Sequence, residues 1–241
     1  MNQRSEGQDF LHKEYPKQFA RDEFWKQIKR TVNGESVSEQ DIEQIVDQIS
    51  SHLALGSRDH VLDLGCGNGA LAARFFDRVD RYTGVDFSAY LLEVANEYFQ
   101  PRCEVQYVEA DIRSVDHYLT QASSANKVLI YGCIGYLSAT DVGQLLARLR
   151  DGLPNLQNVF IGNVADQSRA ADFFAARNIV EYQLDDPSSP IGVWWEQDDF
   201  IQMGSAVGFD THCVSMPSEF YGGTYRFDVV LKKRHVAIES Q

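Results

Sequence analysis

The residues able to do chemistry gather in one run, Val61-Leu62-Asp63-Leu64-Gly65-Cys66-Gly67-Asn68-Gly69. Apolar positions 61, 62 and 64 read as a buried strand that feeds a glycine loop and then a helix. Gly65, Gly67 and Gly69 allow a tight turn and a close approach of backbone to ligand. A helix N-terminus behind such a loop offers unpaired N–H groups and a favourable dipole to a polar or anionic ligand. The expectation is a nucleotide-like cofactor lying on the loop. Asp86 stands 21 positions beyond Gly65, at the end of a second strand, Arg81 to Asp86. An acidic residue there can accept both ribose hydroxyls. Residues 65–70 also satisfy the loose dinucleotide pattern G-x-G-x-x-G/A, so NAD is a rival. NAD leaves unexplained a third run, Val105 to Ile112, which carries another carboxylate, Asp111.

The series D-L-G-C-G-N-G at 63–69, G-V-D-F-S at 84–88 and E-A-D-I at 109–112 resembles the class I S-adenosylmethionine-dependent methyltransferases in order and spacing, over roughly residues 38 to 233. The resemblance implies an α/β fold: a Rossmann-like, doubly wound, seven-stranded sheet with strand seven antiparallel between five and six, beneath an N-terminal helical lid. It implies S-adenosyl-L-methionine as cofactor, with Gly65, Cys66 and Gly67 passing its tail and ribose, and Asp63 supporting the tail. Asp86 would take the ribose hydroxyls, Asp111 and the Ile112 N–H the adenine edge, and Phe87 and Ile112 the ring faces; Ser88 completes that motif. Tyr131 and Gly132 would meet the methionine part, and Tyr136 would face cofactor and acceptor. From the N-terminal region, Trp25 and Arg30 join the cofactor set, Arg30 as a partner for the tail carboxylate or else as part of a solvated helix end. Asp111 has a second reading as a helix N-cap, and Cys66 as a small buried filler.

Methyl transfer from a sulfonium is an in-line displacement in which charge is dispersed, so positioning and desolvation carry much of it. A hydroxyl acceptor adds the need for a base. The candidates are His12, Tyr15, His117 and Asp166; Asp166 has a strong rival reading as an N-cap, and His212 reads as structural. No C-x-x-C or Cys/His cluster suggests a metal. The stretch after strand four, Tyr131-Gly132-Cys133-Ile134-Gly135-Tyr136, lacks the Asn-Pro-Pro-Tyr type of sequence, which argues against methylation of adenine or glutamine nitrogen.

The elements that must hold these residues alternate strand and helix. Strands are expected near 60–64, 81–86, 104–109, 127–131, 158–162, 210–215 and 224–232. Helices are expected from Ser38, where Ser38 and Asp41 form a capping box, and near 69–77, 88–99, 114–122, 140–150, 166–177 and 197–207. Residues 1–37 are read as the lid and 38–241 as the catalytic domain. A net charge of −13 argues against a nucleic-acid substrate and favours a small-molecule one. No signal-peptide pattern opens the chain, and the apolar run 128–137 is too short to span a bilayer, so the expected setting is cytoplasmic, without membrane partners, as monomer or homodimer. The reading is transfer of a methyl group to oxygen or nitrogen of a small molecule such as a sugar or secondary metabolite. Alternatives are a protein methyltransferase, a non-catalytic member that binds S-adenosylmethionine or a protein partner, and, less favoured, an NAD-dependent oxidoreductase.

Overall fold

The computed structural model describes residues 10–99, 103–217 and 219–234. Seven strands form one sheet: β1 His60–Leu64, β2 Arg81–Asp86, β3 Glu104–Glu109, β4 Lys127–Tyr131, β5 Asn158–Ala165, β6 Phe209–Ser215 and β7 Arg226–Lys233. Their order is β3-β2-β1-β4-β5-β7-β6, with β7 antiparallel to both neighbours and the others parallel. The two strands at the centre, β1 and β4, are buried at every position, as continuous apolar runs in a sheet covered on both faces require.

The α-helices are α1 Phe24–Gln27, α2 Glu39–Leu53, α3 Ala89–Tyr98, α4 Asp116–Leu119, α5 Ala139–Gly152, α6 Ala170–Ala175 and α7 Gln197–Ala206. The Ser38/Asp41 capping box starts α2, whose Ile42, Ile45, Val46, Ile49 and Leu53 are buried along one stripe. A matching Ser138/Asp141 box starts α5, which buries Val142, Leu145, Leu146 and Leu149. These stripes pack into separate apolar clusters, α2 with Val61, Leu129 and Phe160, and α5 with Leu62, Val128 and Ile130.

Some elements differ from expectation. In place of a helix over 69–77 there are two 3₁₀ turns, Ala72–Arg74 and Phe76–Arg78. Leu71, Ala72, Phe75 and Phe76 are all buried, and the helix is interrupted at Phe75, which leaves helical geometry at φ −132°, ψ 11°. The expected helix 114–122 shortens to α4, and 166–177 divides into a 3₁₀ turn, Gln167–Arg169, followed by α6. Strand β5 runs on to Ala165 through a bulge between Ile161 and Val164, where Asn163 takes φ +68°.

The largest difference lies at the N-terminus. Residues 1–9 of the expected lid fall outside the described residues. The rest is a π-turn at Phe10–Glu14, a 3₁₀ turn at Tyr15–Gln18, the single turn α1, and a hairpin pairing Thr31–Val32 with Glu35–Ser36. Asn33 and Gly34 turn that hairpin with φ of 53° and 85°, the pair of positive values that a two-residue Asn-Gly turn supplies.

Candidate active site

The site lies beyond the carboxyl ends of the parallel strands, where open α/β sheets place ligands. Alignment of β1 with β2 brings the glycine loop against the end of β2: the N–H groups of Gly65 and Cys66 both donate to the Val85 carbonyl, at 2.7 and 3.1 Å. Gly67 N–H donates to Asp86 Oδ2 at 2.9 Å and Ser88 N–H to Oδ1 at 2.8 Å, so the loop and the start of α3 together orient this buried carboxylate into the cleft. Gly65 and Gly67 have φ of +79° and +57°. A Cβ on Gly65 would stand 2.7 Å from Cys133 Sγ, and one on Gly67 3.0 Å from Ile28 Cγ2. Gly65→Ala is therefore expected to cost about 1–2 kcal/mol for left-handed backbone alone, with the collision added. Scanning calorimetry should show a lowered melting temperature; an unchanged one would mean that the loop is not crowded against the loop after β4.

The N-terminal segment is stitched to this loop through Asn68, which is fully buried. Its Nδ2 donates to the Phe24 carbonyl and to Gln27 Oε1, both at 2.9 Å, and Gln27 Nε2 donates to the Ala20 carbonyl at 2.8 Å. Asp63 lies under the loop, 4% exposed, and accepts the Tyr82 hydroxyl at 2.7 Å. Burial, reinforced by the neighbouring Asp86 charge and opposed by the Tyr82 bond, pushes Asp63 up to about 7.

Beyond β2 and β3 the cleft is lined by Phe87, Leu91, Asp111, Ile112 and Arg113. Asp111 is engaged by Arg113, whose Nε stands 3.1 Å from Oδ1 and whose Nη2 stands 2.6 Å from Oδ2. Asp111 also accepts the Arg113 backbone N–H at 3.0 Å, so it caps a turn as well as facing the cleft. His12 meets Phe87 edge-on at 5.7 Å and Tyr136 at 4.5 Å between ring centroids, reaching across the mouth from one wall to the other.

On the opposite side, Arg30, Tyr131, Gly132, Cys133, Tyr136 and Leu137 close the cleft. Arg30 is 8% exposed, with its guanidinium 4.8 Å above the Tyr131 ring, a long 3.5 Å contact to the Tyr221 hydroxyl, and a buried Nε that lacks a hydrogen-bond partner. It enters no ion pair among the described residues. The solvated helix end is excluded: the chain leaves α1 with Lys29 at φ +54° and turns Arg30 inward.

Of the expected site residues, His12, Arg30, Asp63, Gly65, Cys66, Gly67, Asp86, Phe87, Asp111, Ile112, Tyr131, Gly132 and Tyr136 line one cleft. Six do not. Trp25 packs into the core around α2 and beneath Arg74, because the single turn α1 directs Gln27 and Ile28 to the cleft in its place. Ser88 is buried behind Asp86 and acts on it through its N–H. Tyr15 meets Phe19 edge-on and lies beneath Lys29, and its neighbour Pro16 lines the cleft instead. His117 is exposed on α4, and His212 on the outer strand β6. Asp166 caps the turn 167–169, accepting from Ser168 N–H at 2.9 Å and from its Oγ at 2.6 Å. Residues the sequence did not single out are Gln27, Ile28 and Arg113; only Arg113 had a visible signal, two positions from Asp111.

Comparisons with known proteins agree with this architecture. Residues 61–155 match the family described as Methyltransferase domain. Ribosomal RNA small subunit methyltransferase A of Chlorobium phaeobacteroides (strain BS1) is 31% identical over 130 residues, 54% of this chain and 45% of that protein, so the similarity spans less than half of the relative. Among solved structures, magnesium protoporphyrin IX methyltransferase from Synechocystis PCC 6803 with bound S-adenosylmethionine superposes with a TM-score of 0.61 at 12% identity, over 97% of this chain and 100% of the other. The methyltransferase domain of bacterial CtHen1 gives 0.58 at 16% identity, over 81% and 98%. Residues 61–155 thus carry a methyltransferase domain, and the chain has the fold of these methyltransferase structures, with its cleft on the glycine loop.

Proposed function

We propose that this protein transfers a methyl group from S-adenosylmethionine to an oxygen or nitrogen of a small molecule. The observation that carries the cofactor assignment is the buried Arg30 guanidinium without a carboxylate partner, standing across the glycine loop from Asp63 and Asp86. A buried charge left uncompensated is costly, and an incoming anion relieves it. The methionine tail brings a carboxylate for Arg30 and an ammonium for Asp63, and the ribose brings a diol for Asp86. NAD has no such pairing of anion and cation at one end.

When bound, S-adenosylmethionine would supply an electrophilic methyl on a sulfonium to the acceptor's lone pair. The chain's own residues would hold it: Phe87 and Ile112 would flank the adenine, Asp111 would accept from its amino group, and Gly65 and Gly67 would let the backbone approach the tail. Tyr131 and Tyr136 wall the reacting end and keep water out. His12 lines the cleft and takes the proton that a neutral acceptor gives up.

The small-molecule reading rests on the narrowness of the acceptor side. Val193 N–H donates to the Gly135 carbonyl at 2.7 Å and the Tyr136 hydroxyl to the Pro190 carbonyl at 3.3 Å, joining residues 190–195 to the loop after β4. Of the segment read as a lid, the described residues from 10 to 37 would cap the cleft, with His12 between Phe87 and Tyr136. The RNA methyltransferase relative keeps an RNA acceptor as the second reading, and the net charge of −13 opposes it.

The test is calorimetric titration with S-adenosylmethionine, S-adenosylhomocysteine and NAD. Binding of the first two alone is expected; binding of NAD alone would overturn the proposal. Asp86→Ala should weaken S-adenosylhomocysteine binding by about tenfold or more, since hydrogen bonds to a charged acceptor are worth roughly 1.5–3 kcal/mol. Unchanged affinity would remove Asp86 from the ribose site.

A further inference from the structure

We propose that the methyl acceptor is a small acid, carrying a carboxylate or phosphate held by Arg226, with Asn163 reading a donor group beside it. This inference rests on the methyltransferase reading of the cleft and names the acceptor class.

The sheet order separates charge. The ends of β3, β2 and β1 bring the carboxylates Asp111, Asp86 and Asp63 to the cleft. The other end of the sheet carries guanidiniums: Arg30, which lines the cleft beside Gly132, and, outside the cleft lining, Arg226 at the first position of β7, bonded to Asn163. Several arginines of this acidic chain pair with carboxylates on the surface, for example Arg21 with Glu97, Arg74 with Glu39 and Arg234 with Asp210. Neither Arg30 nor Arg226 enters an ion pair among the described residues. The cofactor brings a single carboxylate. Two guanidiniums exceed what it neutralises, and the second calls for an anion from the acceptor.

Arg226 is held in place. Its Nη1 donates to the Asn163 carbonyl at 2.7 Å, and its guanidinium lies 4.8 Å from the Tyr225 ring. Asp228 Oδ1 is committed to the Asn163 N–H at 2.8 Å. Burial pushes Asp228 up to about 7, so it offsets Arg226 weakly. Burial raises Tyr131, opposed first by Arg30 and more weakly by Arg226, and burial raises Tyr136, opposed by Arg226.

Asn163 lies between the two arginines in the β5 bulge. Its Nδ2 is 3.3 Å and Arg30 Nη2 3.4 Å from where a Cβ on Gly132 would stand. Its Oδ1 is 3.7 Å and Arg226 Cδ 3.3 Å from a Cβ placed on Gly222. Glycine at both positions leaves the Asn163 amide uncrowded, toward Arg30 on the Gly132 side and toward the Arg226 side chain on the Gly222 side. Asn163 Oδ1 is buried with no hydrogen-bond partner, which a ligand N–H or O–H would satisfy.

The experiment measures thermal stabilisation and calorimetric binding of inorganic phosphate, para-hydroxybenzoate and para-aminobenzoate, against the neutral para-hydroxybenzamide, with and without S-adenosylhomocysteine. The acids are expected to bind and the amide is not. Arg226→Ala should weaken acid binding about tenfold or more, with S-adenosylhomocysteine affinity unchanged. Arg226→Gln keeps a donor for the Asn163 carbonyl while removing the charge, and should show the same loss if the alanine variant folds poorly. Equal binding of acid and amide, acid binding that survives both variants, or no acid binding at millimolar concentration would overturn the proposal. So would Arg226-dependent binding of a short RNA in place of the acids. Acid binding dependent on Arg226 in a protein that ignores S-adenosylhomocysteine would uphold the anion site and strike the cofactor reading alone.

Discussion

Arg30→Ala is expected to lose S-adenosylhomocysteine binding by about 30-fold or more, the lower end of the roughly 2–5 kcal/mol seen when one partner of a buried, hydrogen-bonded charge pair is truncated. Arg30 stands at the junction of cofactor and acceptor spaces, over Tyr131 and beside Gly132, at 8% exposure. Among the described residues its side chain makes one long hydrogen bond, to Tyr221, lies over the Tyr131 ring, and enters no ion pair. The ligand-free variant should therefore melt no lower than the parent, because the substitution removes a desolvated charge and offsets the lost packing. This opposition of sign separates a binding role from a structural one: a residue that merely held the fold would lower both quantities. Arg30→Lys should recover only part of the affinity, since an ammonium restores the charge without the planar fork. Titration calorimetry paired with scanning calorimetry reads both effects, and parental affinity in Arg30→Ala would take the residue out of the site.

Where sequence reasoning succeeded, the signal was backbone chemistry. Gly65 and Gly67 require positive φ, and only that need explains their spacing; the strand runs before them and through Val128 to Ile130 require a covered parallel sheet. Asp86 followed because its position is fixed by the same strand–loop register. Where reasoning failed, residue type stood in for direction. Trp25 was the attractive aromatic, yet α1 is one turn long and carries it to the core while Gln27, a polar residue 1% exposed, braces Asn68. The hairpin after it was legible in Asn33-Gly34, a turn signal masked by expecting the lid to be helical throughout. The segment with Phe75 and Phe76 has helical periodicity, yet it is two 3₁₀ turns broken at Phe75, whose non-helical backbone no residue type there announces. Asn163 had no local signal: its left-handed conformation and its place between two arginines arise from the bulge in β5 and the antiparallel entry of β7.

Asp63 should impose a pH dependence on cofactor binding that runs opposite to the one it imposes on stability. Burial is the main force that pushes it up to about 7. Its ionised form is the partner for the cofactor's ammonium, so affinity for S-adenosylhomocysteine should level off above pH 7. Below that, it should fall toward a limit of about tenfold per pH unit. In the ligand-free protein the folded-state value lies above the unfolded value of about 4. The folded state therefore binds the extra proton between the two, so stability decreases as pH rises from about 4 to about 7 and is flat beyond. Asp228, also raised to about 7, adds to the stability slope from the other half of the sheet and leaves the binding slope alone. Asp63→Asn should flatten the binding profile, weaken affinity most at pH 8, and raise the ligand-free melting temperature there. Asp228→Asn should reduce only the stability slope. Tyr82→Phe removes the 2.7 Å bond that favours the ionised carboxylate, so the midpoint of the binding profile should move to higher pH. A profile that stays level through pH 6 to 8 in the parent protein would separate Asp63 from the tail and leave Arg30 as its sole charged anchor.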